Sequence, residues 1–344
     1  MNPANTEGHR RTYAVTYDLS SLMQAFRHSP IRVPTEDDPI YSRFERRLFR
    51  TIKQYLPSIE VHSIRMSEQR CLVWNEVWKS KRETDHYAVI STRYEITEET
   101  ERASNRIKGE KHVLNVNRLF GPDGNMLGYG PRPGFEPLDI QFKSIAEKIA
   151  NRSVILVEDG SVTGGTLLFI LDMLKKLDVE VTMIVIGFCC IEAEAAIRQS
   201  FRNELVIVND LGLIVDWIPD HDLVPFVPNC GRVLGEVKEG FYTSVFADGG
   251  ITFAYPYILP FGKMMKWASL PEDGALAVSK LSLDFSIELW DAVGKLNGKE
   301  IRVGDLTGIC PRISIPIEIG NYQEIPSFDL PVTEFLARMR QKLK

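Results

Sequence analysis

Several patterns that would assign a chemistry directly are missing from this sequence. Its five cysteines form no CxxC pair and lie at no cysteine–histidine spacing typical of a zinc site. They are Cys71, Cys189, Cys190, Cys230 and Cys310. Because their number is odd and their positions are scattered, we expect buried or unreactive thiols in a reducing cytoplasm rather than a disulfide framework.

Net positive charge and long apolar runs are also absent. The formal net charge of −5 argues against a nucleic-acid partner held by broad cationic attraction, although a local basic pocket for a small anion stays compatible with it. The longest apolar runs, near residues 181–191, are too short and interrupted to span a bilayer. Residues 1–15 contain no apolar core of a signal peptide. We therefore expect a cytoplasmic protein without membrane contact.

Residues 1–84 predict a mostly helical N-terminal extension. Within it, residues 42–56 carry apolar side chains at helical spacing, which indicates one buried helix face. The stripe consists of Phe44, Leu48, Ile52 and Leu56. The basic residues of this helix lie largely on the other face, where a solvated surface is the preferred interpretation over a binding patch.

Residues 85–235 alternate strand-like and helix-like segments. The candidate strands are residues 86–91, 112–120, 154–157, 181–188 and 205–208. The candidate helices are residues 97–107, 141–150, 166–177 and 192–201. Alternation of this kind predicts an α/β fold, in which a parallel sheet is flanked by helices on both faces.

Residues 236–344 predict a C-terminal α+β subdomain. An aromatic and β-branched stretch is followed by a helix-like segment at residues 281–296. Residues 309–319 alternate as a strand but contain proline, which favours an edge strand. The chain ends in a basic helix at residues 331–344.

The segment with the clearest chemistry is VILVEDGSVTGGT, residues 154–166. A buried strand ends in Glu158 and Asp159, a loop of small residues follows, and a helix begins directly after it. Free N–H groups and the positive end of the dipole at a helix start favour an anion, and glycines let the backbone approach it. Two carboxylates cannot favour an anion themselves, but they can hold the hydroxyls of a sugar. The combination predicts a site for a phosphorylated sugar.

Other phosphate motifs fit this segment less well. A P-loop needs a lysine after its last glycine, and none follows Gly165. The GxGxxG fingerprint of dinucleotide-binding folds is absent from the segment. The remaining alternative is a plain strand–turn–helix connection with an incidental pair of glycines.

The segment resembles the signature by which type I phosphoribosyltransferases bind phosphoribosyl pyrophosphate (PRPP). The apolar strand, the acid pair, and Val162, Thr163, Gly164, Gly165 and Thr166 match the family pattern in register. Gly160 and Ser161 depart from it, because the family usually has apolar residues there. The resemblance implies a phosphoribosyltransferase-like core at residues 85–235.

The resemblance also implies roles for individual residues. Glu158 and Asp159 would hold the ribose 2- and 3-hydroxyls, and residues Ser161, Val162, Thr163, Gly164, Gly165 and Thr166 would hold the 5′-phosphate. Mg²⁺ would arrive on the pyrophosphate, with water-mediated contact to the acid pair and no direct protein ligand. A loop after the first core strand, at Ser91, Thr92 and Arg93, would touch pyrophosphate, although the family's glycine pair is missing; the alternative for Arg93 is a surface salt bridge.

Two further elements of the family have candidates here. Residues 121–134 are rich in glycine and proline and could close over the substrate, with Arg118 and Arg132 as charge partners; the alternative is an ordinary hairpin with its tip at Asp123 and Gly124. Asp216 and Trp217 could face the base, although Trp217 is more often a core residue, and His221 is interpreted as structural. Members of the family often form dimers, so the resemblance makes a homodimer one candidate, while the sequence leaves the oligomeric state open.

Three functions follow from this pattern. The first is an enzyme that uses PRPP and Mg²⁺ to form or cleave an N-glycosidic bond to a base or amine. The second is a non-catalytic module of the same fold that senses PRPP or a nucleotide and regulates a partner, for example within a multi-protein defence system. The third is a phosphorolytic or hydrolytic enzyme that acts on the glycosidic bond of a nucleotide.

Overall fold

The computed structural model describes residues 11–79, 87–92, 110–149, 152–247, 250–307, 309, 313–321 and 325–344. The predicted helix at residues 97–107 lies outside these ranges, as do Arg93 and Cys310. The chain divides into two compact units, each assembled from separate segments. The first unit draws on Met1–Ala14, Ile64–Val116 and Phe135–Trp217. The second draws on Val15–Ser63, Asn117–Gly134 and Ile218–Lys344.

The described secondary structure contains both helices and strands throughout. The strands are β1 (Arg11–Tyr17), β2 (Glu60–Arg65), β3 (Tyr87–Ser91), β4 (Glu110–Val113), β5 (Val116–Phe120), β6 (Met126–Pro131), β7 (Ser153–Glu158), β8 (Val181–Ile186), β9 (Glu204–Ile207), β10 (Leu213–Pro219), β11 (Arg232–Lys238), β12 (Phe241–Ser244), β13 (Phe246–Ala247), β14 (Ile251–Tyr255) and β15 (Ser314–Pro316). The helices are α1 (Leu19–Met23), α2 (Pro39–Tyr55), α3 (Met66–Lys79), α4 (Leu138–Lys148), α5 (Gly165–Lys176), α6 (Ile191–Ser200), α7 (Met264–Trp267), α8 (Glu272–Asn297) and α9 (Val332–Lys342). Short 3₁₀ turns cover Gln24–His28, Asp220–Leu223 and Val303–Leu306.

A five-stranded parallel sheet forms the centre of the first unit. Its strand order is β4-β3-β7-β8-β9, and every described pairing in it is parallel. Apolar residues of α3 pack on one face, in a cluster with alternate residues of β3, β7 and β8. The other side chains of β7, Val154 and Leu156, are also fully buried. Burial on both faces explains the continuous apolar run at residues 154–157, and the predicted α/β fold with a helix-flanked parallel sheet is confirmed.

A seven-stranded mixed sheet belongs to the second unit. Its path runs β13-β14-β11-β5-β6, while β12 pairs with β11 and β15 pairs with β14. In the same unit, Asp38 caps α2 by accepting the N–H of Ile40 at 2.9 Å. The predicted apolar stripe of α2 is buried, and Phe44 stacks on Phe285 of α8 with ring centroids 4.0 Å apart. This packing confirms the helix predicted at residues 42–56.

The stretch of residues 112–120 is two strands, so the prediction of one continuous strand there was wrong. The parallel partner of β4 is β3, whereas β5 pairs with β11 in the other sheet. The chain changes sheets at Leu114 and Asn115, both of which are buried. An alternating apolar pattern predicts which side chains are buried, but it does not predict which strand is the pairing partner. The pattern therefore continues unchanged across such a break.

Residues 11–79 contain strands as well as the helices predicted there. β1 and β2 join β10 in a three-stranded sheet of order β10-β1-β2. Near the other end of the chain, β15 occupies only Ser314–Pro316 of the strand predicted at residues 309–319. It pairs with β14 alone among the described strands, as expected for an edge strand.

Residues 121–134 include the second strand of a hairpin. The turn between β5 and β6 closes through a bond from the Gly121 N–H to the Asn125 carbonyl at 2.8 Å. Gly124 has φ +70°, a left-handed conformation that favours glycine, and Asp123 accepts the N–H of Asn125 at 2.9 Å. The hairpin tip at Asp123 and Gly124 is confirmed, while closure of this segment over a substrate stays a prediction.

Among the described residues, no helix is both long and apolar enough to cross a membrane.

Candidate functional site

The parallel sheet of the first unit reverses its strand order between β3 and β7. Numbered along the chain within this sheet alone, the strands lie in the order 2-1-3-4-5. In open α/β sheets, the crevice outside the carboxyl ends of the strands at such a reversal is where ligands bind. The chain leaves β3 at Thr92 and leaves β7 at Asp159. The predicted acid pair therefore lies at the position that the topology alone would select.

A hydrogen bond joins the two strand ends at this reversal. Ser91 pairs with Val157 in the parallel ladder, which brings Thr92 beside Glu158. The Thr92 hydroxyl donates to Oε2 of Glu158 at 2.6 Å. Glu158 is half-buried, and Asp159 is 6 % exposed. The first acid of the pair is thus oriented by the neighbouring strand.

The loop after Asp159 ends in a helix start without a side-chain cap. Gly164 precedes α5 with φ +77°, and no side chain accepts a bond from the first turn of α5. The N–H groups of residues 162–167 donate to no acceptor among the described residues. The start of α5 therefore presents unpaired N–H donors and the positive end of the helix dipole, as an anion site requires.

Ser161 is held differently from the rest of the loop. Its N–H donates to the carbonyl of Phe188 at 3.1 Å, and its carbonyl accepts the N–H of Cys190 at 2.9 Å. The loop is thereby tied to the segment that follows β8. Within the predicted phosphate-binding set, Ser161 has its hydroxyl to offer rather than its amide.

The glycine at position 160 has a steric cause. A Cβ built on Gly160 would lie 2.5 Å from the ring of Phe188, closer than real contacts allow. Phe188 is fully buried and meets Trp217 edge to face, with ring centroids 4.9 Å apart. The aromatic ring occupies the space that an apolar side chain at position 160 would need.

Trp217 and Asp216 lie in the first unit, near the loop. Trp217 is partly buried and packs, like Val162, against a core cluster that includes Phe188. Asp216 is 8 % exposed and accepts the N–H of Trp217 at 2.8 Å. Trp217 is therefore a core residue that also lies close to the loop.

The two cysteines beside the loop are unsuited to nucleophilic chemistry. Burial, with the Glu194 carboxylate second, raises the pKa of the Cys189 thiol to about 12. Burial, with the Asp216 carboxylate second, raises the pKa of the Cys190 thiol to about 12. Only a thiolate attacks effectively, so both side chains stay protonated and inert near neutral pH.

None of the predicted arginines lies in the described part of the first unit, which contains the loop. Arg93 lies outside the described residues. Arg118 is exposed on β5 and Arg132 is half-buried after β6, and both belong to the second unit. Their proposed contact with phosphate charge stays a prediction.

One group of metal-type ligands occurs among the described residues, and it also belongs to the second unit. Asp18, Asp220 and His221 are all buried and bring potential ligand atoms within 4.8 Å of one another. His221 Nδ1 lies 2.5 Å from Oδ1 of Asp18, and Oδ1 of Asp220 accepts the N–H groups of Asp18 and Leu19 at 3.0 and 3.1 Å. These protein partners fit the structural role expected for His221.

Sequence reasoning missed Gln69, which lies at the carboxyl end of the same sheet. It is 1 % exposed on the buried face of α3, and its Oε1 accepts a bond from Nδ2 of Asn209. A glutamine at a buried position of a helix with apolar neighbours is the one signal in the sequence that could have revealed it.

Comparisons with known proteins are sparse for this chain. No model of a protein family matches it, and no curated protein matches it either. Among solved structures, a purine phosphoribosyltransferase of Pyrococcus horikoshii is similar at 16 % identity and TM-score 0.28, over 43 % of this chain and 88 % of that one. A hypoxanthine phosphoribosyltransferase of Staphylococcus aureus is similar at 14 % identity and TM-score 0.24, over 45 % and 76 %. A Thermus thermophilus protein is similar at 15 % identity and TM-score 0.28, over 44 % and 83 %.

Proposed function

We propose that the protein binds a ribose 5-phosphate group at the strand-order reversal of its parallel sheet, and that it is a phosphoribosyltransferase acting on PRPP. One juxtaposition supports this proposal more than any other. An acid pair ends the strand at the reversal, and an uncapped helix start follows six residues later. Carboxylates suit sugar hydroxyls and unpaired amides suit a phosphate, so the two halves match the two ends of one ligand.

The chain's own groups would divide the work of the reaction between them. Glu158, oriented by Thr92, and Asp159 would hold the ribose hydroxyls, while the amides of residues 162–167 would hold the 5′-phosphate. With both ends fixed, the sugar's reacting carbon would be presented to a base or amine in a defined orientation, which is the main source of acceleration such a site can offer. The carboxylates would also favour the positive charge that develops on the ribose as pyrophosphate leaves.

Mg²⁺ would enter this site bound to the pyrophosphate group of PRPP. Mg²⁺ prefers oxygen ligands and keeps several waters, and the acid pair supplies carboxylate oxygens at the reversal. Glu158 and Asp159 are the residues that would face the ion through water. When bound, Mg²⁺ would neutralise charge on the pyrophosphate.

Calorimetric titration of the full chain tests the binding site. Ribose 5-phosphate, 2-deoxyribose 5-phosphate and inorganic phosphate are titrated into wild type, Glu158→Gln and Asp159→Asn. We expect ribose 5-phosphate to bind about tenfold more weakly to either variant, since a charge-assisted hydrogen bond is lost, while phosphate affinity changes less than about twofold. Glu180→Gln is the control, because this exposed acid directly precedes β8, at the amino end of the sheet.

Equal affinity of wild type and both acid variants for ribose 5-phosphate would refute the proposed site. Catalysis has its own measurement, the Mg²⁺-dependent release of pyrophosphate from PRPP with a panel of bases and amines. Binding of PRPP without release of pyrophosphate across that panel would favour the sensing module instead.

A further inference from the structure

Gln69 is a buried polar residue with an incomplete set of hydrogen bonds. Its Oε1 accepts from Nδ2 of Asn209. Its Nε2 is buried and finds no acceptor among the described residues. Burying an amide group without its full complement of partners costs free energy, so the position calls for an explanation.

The amide of Gln69 lies directly against Gly187, the first residue after β8. A Cβ built on Gly187 would lie 2.2 Å from Nε2 of Gln69 and 2.3 Å from the carbonyl oxygen of Asp159. No side chain fits between these two groups. Gln69 and the backbone of the acid pair therefore enclose Gly187 from two directions.

Gly187 is in turn hydrogen-bonded to the acid pair. Its N–H donates to the carbonyl of Glu158 at 3.0 Å, and its carbonyl accepts the N–H of Asn209 at 2.8 Å. A continuous set of contacts thus runs from Gln69 and Asn209 through Gly187 to Glu158. Displacement of the Gln69 amide would let Gly187 shift, and the backbone that carries both carboxylates would shift with it.

We propose that Gln69 is a positioning residue that fixes the backbone of Glu158 and Asp159 and thereby sets the affinity of the site for ribose hydroxyls. The proposal rests on the proposed function, since it assigns the acid pair to the sugar. Gln69 itself is too deeply buried to touch a ligand. We expect its effect to be confined to the sugar end, because the phosphate end is built from amides of residues 162–167, to which Gln69 makes no hydrogen bond among the described residues.

The experiment compares two ligands in Gln69→Met, which keeps the side-chain length but loses the bond to Asn209. Ribose 5-phosphate and inorganic phosphate are titrated into the full-length variant by calorimetry. We expect ribose 5-phosphate to bind about fivefold more weakly, the effect of one lost hydrogen bond, and phosphate affinity to change less than about twofold. Gln199→Met, on the exposed face of α6, is the matched control and keeps both affinities.

Asn209→Ser is the second variant and removes the same bond from its half-buried side, which guards against a Gln69 variant that fails to fold. Unchanged affinity for ribose 5-phosphate in the folded variants would overturn the proposal. An equal loss of affinity for ribose 5-phosphate and for phosphate would also overturn it, because a general loosening of the first unit would weaken both ligands alike. If wild type binds phosphate but does not prefer ribose 5-phosphate, the proposed function fails first and takes the role of Gln69 with it.

Discussion

At the scale of single residues, Gly160 shows how a site can depart from a family pattern for a packing reason. Phe188 fills the space beside Gly160, and the acid pair directly precedes Gly160 in the chain. From the sequence, the glycine was visible but its cause was not, because Phe188 lies 28 positions away on another strand end. The steric coupling between positions 160 and 188 can be measured as a free energy.

We expect Gly160→Ala to destabilise the protein by about 1–3 kcal/mol, because the added methyl group would meet a rigid aromatic ring at 2.5 Å. Urea unfolding of the four combinations of Gly160→Ala and Phe188→Leu measures the coupling between the sites. The alanine should cost less in the leucine background than in wild type. Strictly additive effects would show that the ring is not the obstacle.

Asp220 provides a residue-scale prediction in the second unit. Burial, and then the nearby Asp18 carboxylate, raise the pKa of Asp220 well above its ordinary value of 3.8. The folded chain therefore keeps a proton that the unfolded chain releases. The contribution of Asp220 to stability is fully present below pH 3.8 and is lost progressively as the pH rises toward the raised pKa.

Asp220→Asn removes this titration while its side-chain oxygen can still accept the N–H groups of Asp18 and Leu19. Between pH 5 and 8, we expect the free energy of unfolding of wild type to fall relative to that of the variant, because only wild type has this carboxyl group to ionise. Urea unfolding at both pH values measures it, with the exposed Asp37→Asn as control. Parallel pH profiles of wild type and Asp220→Asn would contradict the prediction.

At the scale of elements, α5 combines two properties that can be separated by mutation. Its first turn lacks a side-chain cap, and its N-cap residue Gly164 has a left-handed backbone. The same backbone conformation occurs at Gly298, which ends α8 in open space with φ +65°. One glycine adjoins the proposed phosphate site and the other does not.

We expect Gly298→Ala to destabilise the protein by about 1–2 kcal/mol, because it places a Cβ in the left-handed region. Gly164→Ala should cost somewhat more, because its Cβ would also meet the carbonyl oxygen of Ala193 at 3.3 Å. Only Gly164→Ala should weaken binding of inorganic phosphate, by about fivefold or more, since it alters the direction of the loop amides. Thermal unfolding and phosphate titration of both variants separate strain from ligand binding. Phosphate affinity that survives Gly164→Ala would remove the loop from the site.

The elements that the sequence predicted well are those whose pattern is decided locally. The strand at β7, the helix at α5 and the helix at α2 each follow from apolar spacing and from adjacent glycine, proline or aspartate. The stretch at residues 112–120 failed because partner choice is not local. β4 and β5 look alike in sequence, yet they pair in different sheets.

At the scale of the whole molecule, the sequence predicts three consecutive regions, whereas each of the two compact units is assembled from separate segments of the chain. The phosphoribosyltransferase-like region was expected at residues 85–235. In the structure, the first unit includes α3 and residues 11–14 of β1, and it omits Asn117–Gly134, which contains most of the β5–β6 hairpin. The acid pair and the phosphate loop were identified because they are contiguous, whereas Gln69 and Phe188 reach the same site from distant positions.

The interleaving of the two units decides how the protein can be cut. Any continuous fragment that contains both Ile64–Val116 and Phe135–Trp217 must also contain the β5–β6 hairpin, which pairs with β11 of the second unit. A shortened version limited to residues 85–235 would leave that hairpin without β14 beyond it, and would lose the helix that carries Gln69. A working minimal version would need the hairpin replaced by a short connector and residues 64–84 retained.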